Sequence, residues 1–193
     1  MLMDRSLLMG KFERALSYRD FVALGEPEGH RPPWDERYGQ LALTAEQEAL
    51  VKSFTRQIHV LCLTGTWCGD CALQGSAMAR IAEAGLDKIQ LRFLQRSEEH
   101  ADLIVKSSIN AGFRVPVSWF MAEDFVPVHW FGDRTLSRYR SMARKSVPPD
   151  QVNVQPAAPA DPVREVLCEM LNEFERVHLI LRLSARLRTK HGD

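Results

Sequence analysis

The feature that most constrains this chain is an apolar run of strand type that leads directly into two closely spaced cysteines. Residues 57–73 have the sequence QIHVLCLTGTWCGDCAL, in which a Thr/Gly turn separates the apolar run from Cys68 and Cys71. The alanine-rich sequence that follows predicts a helix with Cys68 at its N-terminus, where free N–H groups and the helix dipole stabilise a thiolate. Cys71 follows about one turn later, close enough to attack a mixed disulfide formed on Cys68. The residues alone therefore indicate a dithiol–disulfide redox pair.

The composition limits the class of protein that carries this motif. The chain has 193 residues, 45% of them hydrophobic and 26% charged, which suits one domain with additional elements. A formal net charge of +0 predicts no nucleic-acid partner and no attraction to an anionic membrane. Four cysteines are too few for a secreted scaffold held by disulfides, and no signal peptide or membrane-spanning run is recognisable. We therefore expect a cytoplasmic protein without a membrane partner.

Hydrophobic periodicity divides the chain into four segments. The pattern over residues 1–56 predicts an N-terminal helical extension packed on the core. The pattern over residues 57–146 predicts an α/β domain with the order βαβαββα. The short helical crossovers between strands favour parallel pairing with right-handed connections. Residues 147–162 are a Pro-rich linker, and residues 163–190 predict one long C-terminal helix.

Three of these predictions concern helices and their faces. In the N-terminal extension we expect a helix over residues 3–18, then an irregular strap over residues 18–41, which is rich in Gly and Pro, then a helix that Thr44 opens with a capping box. The helix over residues 134–145 is expected to bury Leu136, Tyr139, Met142 and Ala143 and to expose its arginines to solvent. The apolar stripe of the C-terminal helix predicts packing within the chain, with a homodimer through this helix as the alternative.

The order of elements, with W-C-x-x-C after the first strand and Val-Pro at the start of the third, resembles the thioredoxin superfamily. It is most similar to bacterial thioredoxin-like proteins with the signature T-W-C-G-D-C, and the resemblance covers about residues 57–145. It implies a three-layer α/β/α core, reduction of protein disulfides by Cys68 as nucleophile and Cys71 as buried resolving thiol, and no cofactor besides this pair. The implied partners are protein disulfide substrates and an unidentified electron donor.

The resemblance also implies a substrate platform around Cys68. Trp67 precedes the nucleophile, and Pro116 matches the proline that the family holds in the cis form. Val115 would offer its peptide group to a bound substrate strand. Phe131 and Gly132 match the loop that forms the third side of the platform.

Some positions depart from the family pattern and are expected to tune the site. Cys62 stands where the family has a buried acid, and Gly69 and Asp70 separate the two cysteines. The carboxylate of Asp70 should raise the pKa of Cys68 unless a cation neutralises it. A raised pKa would favour a reductant over an oxidase, because the thiolate of the reduced form is less stable. Ser76, beside Gly75, replaces a proline in the following helix.

Other interpretations of the cysteines and histidines stay open. The chain could instead be a binding or redox-sensing module, or Cys68 and Cys71 could be half of a metal site, which would need two further ligands. Cys62 and Cys168 are expected to be packing residues, with a third redox thiol and an intermolecular disulfide as the respective alternatives. The three histidines singled out are a sheet residue, a solvated residue and a candidate near the site, namely His59, His100 and His129.

Overall fold

Four strands form one mixed sheet at the centre of the protein. In a computed structural model, which describes residues 3–148, 150–151 and 156–193, they are β1 (Ile58–Thr64), β2 (Ile89–Gln95), β3 (Val117–Ala122) and β4 (Pro127–Phe131). The spatial order is β2-β1-β3-β4. β2 runs parallel to β1, whereas β3 runs antiparallel to both β1 and β4. The helical crossover between β1 and β2 gives the predicted parallel pair. The expectation is wrong for the helical crossover between β2 and β3, which are not neighbours and run in opposite directions.

The described helices fall into three groups along the chain. Before the sheet lie α1 (Arg5–Arg14), α2 (Tyr18–Leu24), α3 (Arg31–Gln40) and α4 (Ala45–Lys52). Within the α/β order lie α5 (Gly69–Ala84), α6 (Ala101–Lys106) and α7 (Leu136–Ser146). At the C-terminal end lie α8 (Pro162–Leu183) and α9 (Ala185–His191).

Helices cover both faces of the sheet. Val60 and Cys62 of β1 point into a core that includes residues of α5 and α8. Leu61 and Leu63 point to the other face, where Leu8 of α1 packs. Because successive strand residues face opposite sides, a strand whose seven residues are all buried must lie between two layers. The predicted three-layer α/β/α fold is confirmed.

The N-terminal region is more regular than its sequence suggested. The helix expected over residues 3–18 ends at Arg14, and the backbone of Leu16 instead exchanges hydrogen bonds with Phe93 of β2. The expectation of an irregular strap over residues 18–41 is wrong, because this stretch contains α2 and α3. Two of its prolines lie in the first turn of α3, where a helix loses nothing from a missing N–H. The capping box of α4 is confirmed, with Thr44 and Gln47 bonded reciprocally.

The C-terminal helix is interrupted once. Instead of one helix to about residue 190, α8 ends at Leu183. The side chain of the next residue, Ser184, accepts a hydrogen bond from the N–H of Leu187 in the first turn of α9. The stripe of α8 is buried against the sheet and α5, with Met170, Phe174 and Val177 fully inaccessible. Most of the apolar stripe that suggested a homodimer is thus occupied within the chain, whereas Ile180 and Leu183 are 45% and 78% exposed. The homodimer stays a prediction.

The division into four segments also stays a prediction, although the N-terminal helices share the core of the sheet. Phe21 of α2 and Trp34 of α3 are fully buried in the same cluster as β1. Residues 149 and 152–155 of the expected linker lie outside the described residues.

Candidate active site

The sheet topology gathers the predicted site residues at one edge. In register, Cys62 of β1 lies opposite Ser118 of β3, which lies opposite Phe131 of β4. Since β3 runs antiparallel to its neighbours, the C-terminal ends of β1 and β4 meet the N-terminal end of β3. The loop carrying Cys68, the dipeptide Val115-Pro116 and the dipeptide Phe131-Gly132 therefore leave the sheet at the same edge.

Cys68 is the N-cap of α5, as the sequence predicted. Its sulfur accepts a hydrogen bond from the backbone N–H of Cys71 at 3.3 Å and lies 3.9 Å from the carbonyl oxygen of Val115. Hydrogen bonding from Cys71 lowers the pKa of Cys68 to about 7, against the opposing effects of burial and of the Asp70 charge. A substantial fraction of Cys68 is therefore thiolate at neutral pH.

Two further thiols, Cys71 and Cys62, are fully inaccessible to solvent. Burial raises the pKa of Cys71 well above its ordinary value, and hydrogen bonding with the Cys68 sulfur raises it further. Burial raises the pKa of Cys62 to about 12. One accessible low-pKa thiol beside a buried high-pKa thiol is the asymmetry that a nucleophile and a resolving thiol require.

Asp70 does not point toward Cys71 but is held by two arginines. Its carboxylate receives a hydrogen bond from Nε of Arg134 at 2.7 Å and from Nε of Arg138 at 2.8 Å, and its side chain is only 10% exposed. The sequence had suggested that the arginines of this helix face solvent, which is wrong for this pair. Two cations neutralise the carboxylate beside Cys68, so its effect on the thiolate is reduced.

Arg134, one of the two arginines that bind Asp70, also belongs to a charge cluster around the buried Asp133. Asp133 is 2% exposed and accepts hydrogen bonds from Arg114 at 3.1 Å, from Arg134 at 2.9 Å and from the Tyr139 hydroxyl at 2.5 Å. Arg134 bridges the two carboxylates, so the start of α5 is tied to the chain that enters α7. No single motif signals this cluster, because Asp70 lies more than 60 residues before the two arginines that bind it.

The predicted platform residues lie at the same edge of the sheet as Cys68, with different exposures. The Val115–Pro116 peptide bond is cis, as the resemblance implied. Trp67 is 49% exposed, whereas Phe131 is half-buried and packs against the core. A side chain at Gly132 would come within 3.0 Å of Ile109, so this turn is closely packed. Gly69 is exposed, and nothing lies near the position of a Cβ there.

The N-terminal helices hold the loop that precedes Cys68, which the sequence did not reveal. The Trp34 indole donates a hydrogen bond to the carbonyl oxygen of Thr66 at 2.8 Å, and His30 lies 3.1 Å from the Thr66 hydroxyl. The Tyr18 hydroxyl lies 2.9 Å from that of Ser76, the position of the missing proline. A Cβ at Gly75 would lie 2.5 Å from the Trp34 ring. Gly75 and Ser76 thus form the socket in which α3 sits.

The three histidines singled out in the sequence do not contact the cysteine pair. His59 is buried at the other end of β1 and stacks on Phe125, so it is not a proton relay for the cysteines. The expectation that His100 is solvated is wrong, because it is buried beside Lys11. His129 lies 3.1 Å from Glu173 of α8. Among the described residues, no group of three or more His, Cys, Asp or Glu side chains is placed to hold a metal ion.

This arrangement agrees with a comparison to known sequences. A family sequence profile described as thioredoxin matches residues 17–144, about two thirds of the chain. The chain belongs to this thioredoxin family. The match begins well before residue 57, so α2 and α3 are part of the family region. No curated protein shows significant sequence similarity to the chain.

Solved structures show the same fold at low identity. A Pseudomonas aeruginosa protein of unknown function is 14% identical with a TM-score of 0.66, covering 86% of this chain and 93% of that one. An HIV epitope scaffold is also 14% identical with a TM-score of 0.57 and the same coverages. At this identity, both likenesses concern the fold alone. Within the described residues, no helix is both long and apolar enough to cross a membrane.

Proposed function

We propose that this protein is a thiol–disulfide oxidoreductase that reduces protein disulfides in the cytoplasm. The observation that carries the proposal is the unequal pair of thiols at the start of α5. Cys68 is accessible with a pKa lowered to about 7, and Cys71 is buried with a raised pKa. The cis Val115–Pro116 bond beside Cys68 supports a peptide-binding role for Trp67, Val115 and Pro116, with Phe131 and Gly132 on the far side.

The chemistry follows from the two thiols. The Cys68 thiolate attacks one sulfur of a substrate disulfide, so that a mixed disulfide forms and the first substrate thiolate leaves. Cys71 then loses its proton and attacks the Cys68 sulfur. This forms the Cys68–Cys71 disulfide and releases the second substrate thiolate, which takes up a proton. Two electrons pass to the substrate in each cycle, and an external dithiol reductant must return them.

The pKa of Cys68 supports the reducing direction. Strongly oxidising pairs have nucleophile pKa values near ~3.5, because a very stable thiolate favours the reduced protein, whereas reducing pairs lie near ~7. Cys68, at about 7, belongs with the second group. Titration against a glutathione buffer measures the potential directly, and a couple far more oxidising than the cytosolic poise would contradict the reducing direction.

Reduction of insulin disulfides with dithiothreitol as electron donor tests the activity. We expect Cys68→Ser to fall to the rate of dithiothreitol alone, and Cys71→Ser to lose turnover while trapping a mixed disulfide with the substrate. Cys168→Ser is the matched control, because this half-buried thiol lies on α8 and contacts Gln47 instead of the pair. Wild-type protein no faster than dithiothreitol alone would favour the alternative of a binding or redox-sensing module.

A further inference from the structure

The face of α7 that its sequence suggested would be buried is turned to solvent. Leu136 is 56% exposed, and Tyr139 and Met142 are each 38% exposed. These three residues recur every three positions and so form one stripe along the helix. We call this stripe, together with the cations of α7, the α7 face.

Polar contacts fix this orientation of the helix. Ser137 is buried against α8, where its N–H and hydroxyl donate to the Glu169 carboxylate at 3.0 and 2.6 Å. Arg138 reaches Asp70 on α5. Rotating α7 to bury its apolar stripe would break both sets of bonds and leave Glu169 and Asp70 with fewer partners, which is costly for partly buried carboxylates.

The α7 face is also strongly basic. The helix carries Arg138, Arg140, Arg144 and Lys145 and no acidic residue, although the whole chain has a net charge of +0. Arg138 is engaged with Asp70, and Arg144 donates a hydrogen bond to the carbonyl oxygen of Pro156. Arg140 and Lys145 flank the exposed apolar stripe, which suits a partner surface that is apolar and acidic.

The α7 face is continuous with the candidate active site. Arg138 and Arg134 both bind the carboxylate of Asp70, which lies two residues from the nucleophile Cys68. The N-terminal end of α7 therefore lies directly beside the start of α5. A protein whose disulfide reached Cys68 would present its neighbouring surface to this helix.

We propose that the α7 face is the docking surface for the protein substrate, and that this substrate carries an acidic, partly apolar segment next to its disulfide. The inference rests on the proposed function and adds the class of substrate to it. The apolar stripe contributes contact area, and the cations select for acidic partners and speed their encounter.

Two disulfide-bonded peptides that share apolar residues and differ only in Asp/Glu or Lys/Arg flanks test this proposal. We expect pre-reduced wild-type protein to reduce the acidic peptide about tenfold faster than the basic one at low salt, with the preference shrinking as salt is added. R140E/K145E should reduce the preference to less than twofold. Dividing each rate by that for a small neutral disulfide removes any general change in reactivity. The matched control is R5E/R14E, which makes the same charge change on α1, whose packing is on the opposite face of the sheet.

Equilibrium binding of the same peptides to the Cys68→Ser variant separates the two proposals. If the small disulfide is not reduced but the acidic peptide still binds about tenfold tighter, the proposed function fails and the docking surface stands. Equal binding of both peptides, or a preference that R140E/K145E retains, would overturn the docking proposal. It would also be overturned if the protein showed no peptide preference and instead bound phosphatidylglycerol vesicles through α7.

Discussion

At the scale of single residues, the environment of Cys68 is set by charges that lie far away in the sequence. Asp70 alone would disfavour the thiolate, and Arg134 and Arg138 compensate for it. The arginines are positioning residues, since in the structure they contact Asp70. Their effect on reactivity should therefore be visible as a shift of the Cys68 titration.

Arg138→Gln is expected to raise the pKa of Cys68, because it leaves the Asp70 charge less compensated. Cys68 alkylation at pH 6 should slow by roughly threefold, the effect of a half-unit change in pKa. Asp70→Asn should lower the pKa and speed alkylation at the same pH. The thiolate absorbance near 240 nm, followed across pH, measures both changes.

Arg140→Gln is the control for that pair of variants, since it removes the same charge from α7 at a residue that does not contact Asp70 in the described part of the chain. A pKa of Cys68 that moves with Asp70→Asn but not with Arg138→Gln would show that the arginine does not act on the thiolate.

For wild-type protein, alkylation should rise as pH increases through about 7, because the thiolate is the reactive form.

At the scale of elements, the packing of α3 on α5 links the N-terminal helices to the active-site loop. Trp34 fills the space that Gly75 leaves open and donates its indole N–H to Thr66, just before Trp67 and Cys68. The indole is fully buried, so this bond has no competing water. α3 is therefore part of the support of the loop.

Gly75→Ala is expected to destabilise the protein by about 1–3 kcal/mol, because the added Cβ would overlap the Trp34 ring. Gly39→Ala, in α3 itself, places a Cβ where nothing lies within 4 Å and should stabilise the helix by roughly 0.5–1 kcal/mol. Urea denaturation of the two variants measures the contrast. Equal stabilities would mean that the socket does not constrain α3.

At the scale of the whole molecule, several buried histidines couple stability to pH. Burial lowers the pKa of His59, His100 and His178 in the folded state. The unfolded chain, with histidine pKa values near ~6.5, then binds more protons than the folded protein as pH falls below that value. The fold is therefore most stable above pH ~6.5, where these three histidines are neutral in both states. The free energy of unfolding decreases as pH falls from there toward the lowered pKa values that the histidines have in the folded protein.

His178→Gln tests one part of this dependence. The Nε2 of His178 accepts a hydrogen bond from the Thr55 N–H at 3.0 Å, which protonation would abolish, and the ring stacks on Phe54. We expect the variant to be less stable at pH 7.5 and to lose less further stability between pH 7 and pH 5 than wild type does. Urea midpoints across this range give the measurement. His191→Gln, at an exposed histidine that pairs with Glu123, is the comparison for losing a histidine that is not buried. Parallel pH profiles for wild type and His178→Gln would contradict the assignment.

The sequence by itself determined the parts of this protein that depend on neighbours in the chain. The apolar run before Trp67, the helix after Cys68 and the capping box at Thr44 all follow from local periodicity and hydrogen bonding. The order of elements predicted an α/β domain, and the family resemblance that it carried implied a three-layer core with Val115-Pro116 beside Cys68. These features are local, or follow from the few ways in which such elements connect.

Only the tertiary structure decided which way the side chains of distant elements face. Helical periodicity showed that α7 has an apolar side, but the bonds of Ser137 to Glu169 and of Arg138 to Asp70 decided that this side faces solvent. Proline counts suggested an irregular strap, whereas burial of Trp34 against Gly75 holds α3 as a helix. In each case the deciding contact joins residues more than 30 positions apart, and no local propensity encodes it.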